Sequence, residues 1–336
     1  MLVRQETQKN IKRTTTNEKN KTAMFYGLLL SIAACMVWGI AYVVPLILAD
    51  MRPIRIALFR YLIFSVFCMG YLCVKRKEIT FTKTDWRDAT LLGIIGNLAF
   101  YWVLSEAVVR IGAAMTGVFT ACIPVVVSLW VLLTEKRRDA WNPKLLLGLG
   151  MIAVGLIFLN MDRVQTILTS AGNTLATIDH DSSKALWDYA LGIVFALASV
   201  VIWTWFPLKN TKWLTSHASS SVSVWTAAQG ATLFPIALVA LGFNATTSPR
   251  FVMPDLRAFL WISVLALGCS WLGNFLWNAA SRYLPTMMIG QILVFETIAA
   301  IVYASILDQA LPSLTMVIGS IVVLVGVSIS FQLLRR

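Results

Sequence analysis

Long apolar runs separated by short polar segments dominate the chain. Ten of these runs are close to the ~20 residues that an α-helix needs to cross the hydrocarbon core of a bilayer. They predict membrane spans at 24–48, 53–74, 89–109, 112–133, 145–160, 187–206, 219–242, 256–280, 285–306 and 313–334. The run at 145–160 has only 16 residues. The alternative of eight or nine spans would require losing a short run, most plausibly this one. The pattern predicts an all-α integral membrane protein.

The composition agrees with lipid as the solvent of this chain. Of its 336 residues, 58% are hydrophobic and 13% are charged, whereas a soluble domain carries roughly 25% charged residues. The net charge of +12 would suit nucleic-acid binding. The cations, however, lie in short segments between apolar runs and no nucleic-acid motif is present, so we expect no nucleic-acid partner.

The distribution of Lys and Arg predicts the orientation in the membrane. If the N-terminus is cytoplasmic, 20 of the 28 Lys and Arg lie in cytoplasmic segments, as the positive-inside rule requires. Ten spans then place both termini in the cytoplasm. Residues 1–23 are expected to form a disordered, basic cytoplasmic tail. The apolar run after them is too long for a signal peptide and no small-residue cleavage site follows it, so it is predicted to be an uncleaved first span.

Short patterns recur in the two halves of the chain, in the same order. The repeated pairs are Gly27-x5-Ala33-x4-Trp38 with Gly192-x5-Ala198-x4-Trp203, Ala107-x2-Arg110 with Ala279-x2-Arg282, and Gly148-x6-Gly155 with Gly319-x6-Gly326. Their offsets are 165, 172 and 171 residues. They predict a first five-helix repeat at 24–160, an external connector at 161–186 and a second repeat at 187–336. Because five spans is an odd number, the second repeat enters the membrane from the opposite side, which makes the two repeats inverted, as in many secondary transporters.

These features resemble the drug/metabolite transporter superfamily, in its ten-span EamA-type branch, over about 24–334. The residues that carry the resemblance are Trp38-Gly39, Pro53-x6-Arg60, Ile123-Pro124, Leu133-Thr134-Glu135, Gly148-x6-Gly155, Phe295-Glu296, Asp308 and Gly319-x6-Gly326. Two positions depart from the family's habits, with Glu296-Thr297 in place of Glu-Pro and Leu307-Asp308 in place of Gly-Glu. The resemblance implies export of metabolites across a bacterial inner membrane.

Polar and aromatic residues at helical spacing indicate a solute cavity. Span eight carries Trp271, Asn274 and Asn278 at i, i+3 and i+7, which would lie on one helical face. The other candidates for cavity lining are Trp38, Tyr42, Asn97, Tyr101 and Trp203. Such side chains bind polar organic molecules by stacking and hydrogen bonding. The alternative is that they join packed helices to one another.

Three charged residues lie in the predicted spans, away from the outermost three residues at each end: Arg60, Glu106 and Glu296. A charge at the bilayer centre costs roughly 2.5–3.5 kcal/mol on insertion scales, so each needs a partner or a cavity. Arg60 and Glu106 could pair, or Glu106 could reach the interface. Glu296, at the centre of span nine, is the strongest candidate for proton coupling or gating. The alternative is a protonated Glu296 that braces a neighbouring helix.

Other chemistry is not indicated. The sequence shows no catalytic constellation at membrane depth, no metal-ligand spacing, no nucleotide-binding loop and no implied cofactor. Glycines at 148, 155, 319 and 326 would let spans five and ten pack closely, within the chain or in a homodimer.

The sequence therefore predicts a secondary transporter of a small polar organic solute, such as an amino acid or metabolite, that works by alternating access. Three alternatives remain open: a nucleotide-sugar or lipid-precursor transporter of the same architecture, a channel, and a membrane enzyme. Since Arg60 is the one cation within the apolar runs away from their ends, the first of these ranks below a carrier of small metabolites.

Overall fold

A computed structural model describes residues 2–48, 50–134, 143–159, 161, 182–247, 253–285, 288, 291–307 and 309–334. No strand occurs in these ranges. The helices are α1 Leu2–Ile47, α2 Pro53–Val74, α3 Lys83–Leu91, α4 Phe100–Ala121, α5 Ile123–Thr134, α6 Pro143–Leu159, α7 Ser182–Ser216, α8 Val222–Ala231, α9 Phe234–Thr247, α10 Leu256–Ser263, α11 Asn274–Ala280, α12 Val294–Leu307 and α13 Leu314–Leu334. The all-α class predicted from the apolar runs is thereby confirmed for the described residues.

Among the described residues, six helical segments are long and apolar enough to cross a membrane. They are Thr22–Pro45, Pro53–Val74, Lys83–Val108, Trp187–Ser216, Val222–Thr247 and Leu256–Ala280, and they correspond to predicted spans one, two, three, six, seven and eight. Shorter apolar helices at Pro143–Phe158, Val294–Leu307 and Leu314–Ser330 correspond to spans five, nine and ten. Predicted span four is divided between the end of α4 and α5.

The boundary predicted between spans three and four is wrong. The helix runs without interruption through Arg110 and Ile111 to Ala121, and the break lies at Cys122. Neither Arg110 nor Ile111 prevents helix formation. Pro124 follows two residues after the break, and a proline lacks the amide hydrogen that an inner helical turn needs, so the interruption falls beside it.

The first helix also begins earlier than expected. The sequence predicts a disordered tail over residues 1–23, yet α1 starts at Leu2. The segment contains neither proline nor glycine, the two residues that most strongly oppose a helix interior, so the helix of the first span extends back through it. The predicted connector at 161–186 lies almost entirely outside the described residues; its last five residues, 182–186, already belong to α7.

Two helices contain wide π-helical segments at corresponding places. Leu92–Ala99 joins α3 to α4, and Val264–Gly273 joins α10 to α11. The two segments begin 172 residues apart, the offset that separates Arg110 from Arg282. A π-helical turn breaks the regular hydrogen-bond ladder and is often found at functional sites.

Helices α6 and α13 pack at close range along their glycines. A Cβ atom at Gly155 would lie 2.6 Å from Val323 Cγ2, and one at Gly148 would lie 2.9 Å from the carbonyl oxygen of Gly326. Only glycine permits the two backbones to approach this closely. The predicted packing role of these glycines is thus found within a single chain, and the homodimer stays a prediction.

Candidate functional site

A cavity lies among α1, α2, α4, α7, α11, α12 and the two π-helical segments. Its volume is about 70 Å³, room for a few water molecules or a small solute group. The lining residues are Trp38, Ala41, Tyr42, Arg60, Tyr61, Gly96, Asn97, Phe100, Tyr101, Leu104, Trp203, Cys269, Asn274 and Glu296. Both predicted halves of the chain contribute to the wall.

Two tryptophans contribute to the aromatic part of the wall. The rings of Trp38 and Trp203 meet edge to face, with centroids 5.8 Å apart. Trp203 also stacks on Phe100 at 4.2 Å. The indole Nε1 of Trp38 donates to the carbonyl oxygen of Cys269 over 2.9 Å, so its ring is held by a backbone group of the second π-helical segment.

Two amides join the first π-helical segment to α11. Asn274 Nδ2 donates to Asn97 Oδ1 over 3.1 Å, and both side chains are buried. The carbonyl oxygen of Asn97 accepts from the hydroxyl of Tyr61 over 2.8 Å. These contacts hold the two amides at the wall of the cavity. An amide side chain can both donate and accept hydrogen bonds.

The cavity holds one cation, Arg60, among its lining residues. Arg60 Nε donates to Ser270 Oγ over 2.8 Å. The guanidinium carbon lies 5.4 Å from the ring centroid of Tyr61 and 5.0 Å from that of Tyr101. These ring faces stabilise the cation without neutralising it.

Glu296 supplies the carboxylate of the cavity. Its Oε1 accepts a hydrogen bond from the Tyr42 hydroxyl over 3.2 Å. Glu296 lies in the first turn of α12, where the helix dipole favours a negative charge. The sequence predicted both residues as site candidates without relating them, because α1 and α12 are far apart in the chain.

Three predicted candidates lie away from the cavity. Trp271 packs against Phe67 and Tyr71 of α2, with ring centroids at 5.2 and 5.7 Å. Asn278 belongs to a buried polar cluster, in which it accepts from Asn210 over 2.6 Å and donates to Thr226 over 2.8 Å. Glu106 pairs with Arg110.

The predicted single face does not hold for Trp271, which packs apart from Asn274, whereas Asn274 and Asn278 lie four residues apart on the regular helix α11 and share one side of it. The wide turn at Val264–Gly273 contains more residues than an α-helical turn, so positions three apart across its end no longer align. The predicted ion pair between Arg60 and Glu106 is wrong as well. Glu106 forms its ion pair with Arg110, which lies one turn further along the same helix.

The chain matches a known family over its first half. The model of the EamA-like transporter family matches residues 25–161. The inner membrane protein YtfF of Escherichia coli (strain K12) is 32% identical over 322 residues, which cover 92% of this chain and 96% of that protein.

The chain belongs to the EamA-like transporter family.

Two further comparisons extend over most of the chain. An uncharacterized transporter of Archaeoglobus fulgidus is 21% identical over 301 residues, covering 89% of this chain and 95% of that protein. A protein of known crystal structure has the same fold with a TM-score of 0.68 at 15% identity, covering 92% of this chain and 98% of that one. The chain is thus an EamA-like membrane transporter, as its sequence resemblance implied.

Several residues of this EamA-like cavity were missed in the sequence. Phe100, Leu104 and Ala41 are apolar residues in apolar helices, so no polarity contrast marks them. Tyr61 could have been found, because it follows Arg60 directly and a phenol beside a membrane-embedded cation is a natural partner.

Proposed function

We propose that the chain is a secondary transporter that exports a small polar organic solute, such as an amino acid or related metabolite, by alternating access between two inverted five-helix repeats. The observation that carries this proposal is the position of the cavity. It lies where Trp38 and Trp203, equivalent residues of the two repeated patterns, meet edge to face. A site at the junction of inverted repeats can be exposed to either side when one repeat rocks against the other.

Equivalent contacts elsewhere support the ten-span repeat. A Cβ at Gly27 would lie 2.8 Å from Tyr283, which follows Arg282 in the chain. Its counterpart Gly192 is close to Ile111, which follows Arg110 in the same way. Helix α1 thus packs on the residues just after α11, and α7 packs on α4 at the matching position of the repeated pattern, as a two-fold relation between the halves would require. The family match at 25–161 also coincides closely with the first repeat.

Polar contacts between the halves are suited to opening and closing. On one side of the cavity, Lys209 Nζ of α7 lies 3.3 Å from Asp88 Oδ2 of α3, and Trp213 Nε1 donates to Asp85 Oδ1 over 2.8 Å. On the other side, Arg110 Nε lies 3.9 Å from Asp188 Oδ1. The two ion pairs are partly exposed, and such pairs exchange for water at small net cost, whereas the buried Trp213–Asp85 bond has to break before its side can open.

In this proposal the protein lies in a bacterial inner membrane with both termini in the cytoplasm, and Glu296 is the site of proton coupling. Glu296 lines the cavity together with Arg60, so a proton and a solute would act on the same small space. Nucleotide sugars and lipid precursors are disfavoured, since a phosphate chain calls for several cations and Arg60 is the one cation among the lining residues.

Counterflow in proteoliposomes tests this function. Vesicles preloaded with unlabelled amino acids or metabolites should accumulate the matching labelled solute in a saturable manner, because a carrier exchanges solute faster than it returns empty. Vesicles without protein provide the control. Flux that rises linearly with concentration and shows no counterflow would indicate a channel and contradict alternating access.

A further inference from the structure

We propose that Arg60 is the residue that recognises the solute, by binding its carboxylate group, so that the cavity selects small carboxylate-bearing molecules over amines of the same shape. This inference rests on the proposed transport function and adds a chemical requirement to it. Three features of Arg60 support it: the contacts that orient its guanidinium group, the residues that line the cavity around it, and the absence of a contacting carboxylate among the described residues.

Arg60 is a buried cation that no carboxylate of the described residues contacts, although Glu296 lines the same cavity and acts on it over a longer distance. Only 7% of its surface is exposed. Within the described ranges, no carboxylate oxygen lies within 4.0 Å of its guanidinium nitrogens. An arginine remains charged at any physiological pH, and a buried charge is destabilising unless an opposite charge reaches it. An anionic solute group would supply that charge.

The guanidinium is fixed in one orientation. Its Nε donates to Ser270 Oγ over 2.8 Å, and the rings of Tyr61 and Tyr101 lie on it at 5.4 and 5.0 Å. Tyr61 is itself tied to the Asn97 carbonyl. With Nε used by Ser270, the terminal nitrogens remain as the donors for the Tyr101 side chain and for a solute. A carboxylate accepts two parallel hydrogen bonds from such a planar fork.

The rest of the cavity limits which anion fits. Arg60 is the one cation among the lining residues, which does not suit a phosphate chain. Glu296 lines the same cavity and would repel a group with two negative charges, while it would tolerate a solute that also carries an ammonium group. A single carboxylate on a small body, with or without an amine, fits these constraints.

Matched solutes test the carboxylate requirement without any mutation. Binding would be followed by the fluorescence of the tryptophans, two of which line the cavity, in purified full-length protein. The probes are three trios with one side chain each: alanine, propionate and ethylamine; leucine, 4-methylpentanoate and 3-methylbutylamine; and phenylalanine, 3-phenylpropionate and phenethylamine. We expect binding within at least one trio, with the amine weaker than its carboxylate-bearing partners by ~10- to 100-fold, the range of a charged hydrogen-bonded contact. Equal or tighter binding of the amines, or no binding in any trio, would overturn the proposal.

Substitutions then assign the effect to Arg60. Arg60→Gln should remove the preference for carboxylates, and Arg60→Lys should retain part of it, because an ammonium keeps the charge but not the fork. Arg55→Gln is the matched control: Arg55 is equally buried on the same helix, and its Nε contacts Asn244 Oδ1 at 3.4 Å, outside the cavity. Loss of the preference in Arg55→Gln as well would overturn the assignment.

The proposed function and this inference can fail separately. Counterflow of amines that is unaffected by Arg60→Gln would leave alternating access intact and refute the role of Arg60. If Arg60→Gln does not give a monodisperse protein, the proposal is still decided by comparing how the unmodified protein binds the carboxylates and the amines of the three trios.

Discussion

Trp38 and Trp203 meet edge to face with their ring centroids 5.8 Å apart and their ring planes at 67°, although 165 positions separate them in the chain. Each is the last residue of the same repeated pattern, one in α1 and the other in α7. Their contact places the wall of the cavity between the two predicted halves of the chain.

The aromatic wall should be needed for transport. Trp203→Ala removes the ring that contacts both Trp38 and Phe100. We expect the solute flux to fall roughly tenfold. The lost ring contacts contribute about 1–2 kcal/mol of binding free energy, which corresponds to a factor of this size. Trp187→Ala on the same helix is the control, since Trp187 is 68% exposed. Equal flux in the two variants, each at normal expression, would refute the role of the wall.

Asn274 and Trp271 should differ in their effect, although they lie three residues apart. Asn274→Ala removes a cavity amide and its bond to Asn97, so the solute affinity should weaken. Trp271→Ala should leave the affinity unchanged and lower thermal stability instead, because Trp271 packs against α2. Titration of solute binding and the midpoint of thermal unfolding separate the two effects. A loss of affinity in Trp271→Ala would show that the sequence-based face was correct after all.

Glu296→Gln tests proton coupling. Glutamine keeps the shape of the side chain and can still accept a hydrogen bond from Tyr42, but it cannot titrate. If Glu296 couples protons, the variant should fold and bind solute while its flux loses the pH dependence of the unmodified protein. Flux measured between about pH 5 and 8 provides the comparison. An unchanged pH profile would instead support a bracing role.

Two glycines of α6 should tolerate substitution differently. Gly155→Ala would place a methyl group 2.6 Å from Val323 Cγ2 and 2.8 Å from the Gly319 carbonyl oxygen, so helix α13 must shift and the protein should be destabilised by ~1–3 kcal/mol. A Cβ at Gly150 meets nothing within 4 Å, so Gly150→Ala should be neutral or slightly stabilising. Thermal unfolding in detergent measures both. Equal unfolding midpoints would contradict the close approach of α6 and α13.

The orientation can be checked with reporter fusions. Reporters placed after Arg336 and within 75–88 should both report a cytoplasmic location, and a reporter within 161–186 should report the outside. The reason is the concentration of Lys and Arg in the predicted cytoplasmic segments. An external signal from the C-terminal fusion would show that the number of spans is odd.

The sequence by itself determined the membrane class, the positions of most helices and the membership of the family. These follow from local properties: a run of apolar residues must be helical in lipid to satisfy its own backbone groups, and repeated patterns can be compared without knowing any contact. For the same reason the sequence could mark Trp38, Trp203, Arg60 and Glu296, since aromatic, polar or charged residues stand out in apolar helices.

Only the tertiary structure decided which of the marked residues meet. Asn274 reaches Asn97 while Trp271 faces α2, because the π-helical segment at Val264–Gly273 changes the angular spacing that a regular helix would give. Arg60 faces Ser270 and two tyrosines instead of Glu106, because Glu106 finds Arg110 one turn along its own helix. Such choices depend on helix rotation and on distances between elements far apart in the chain, and neither quantity is present in the local pattern of residues.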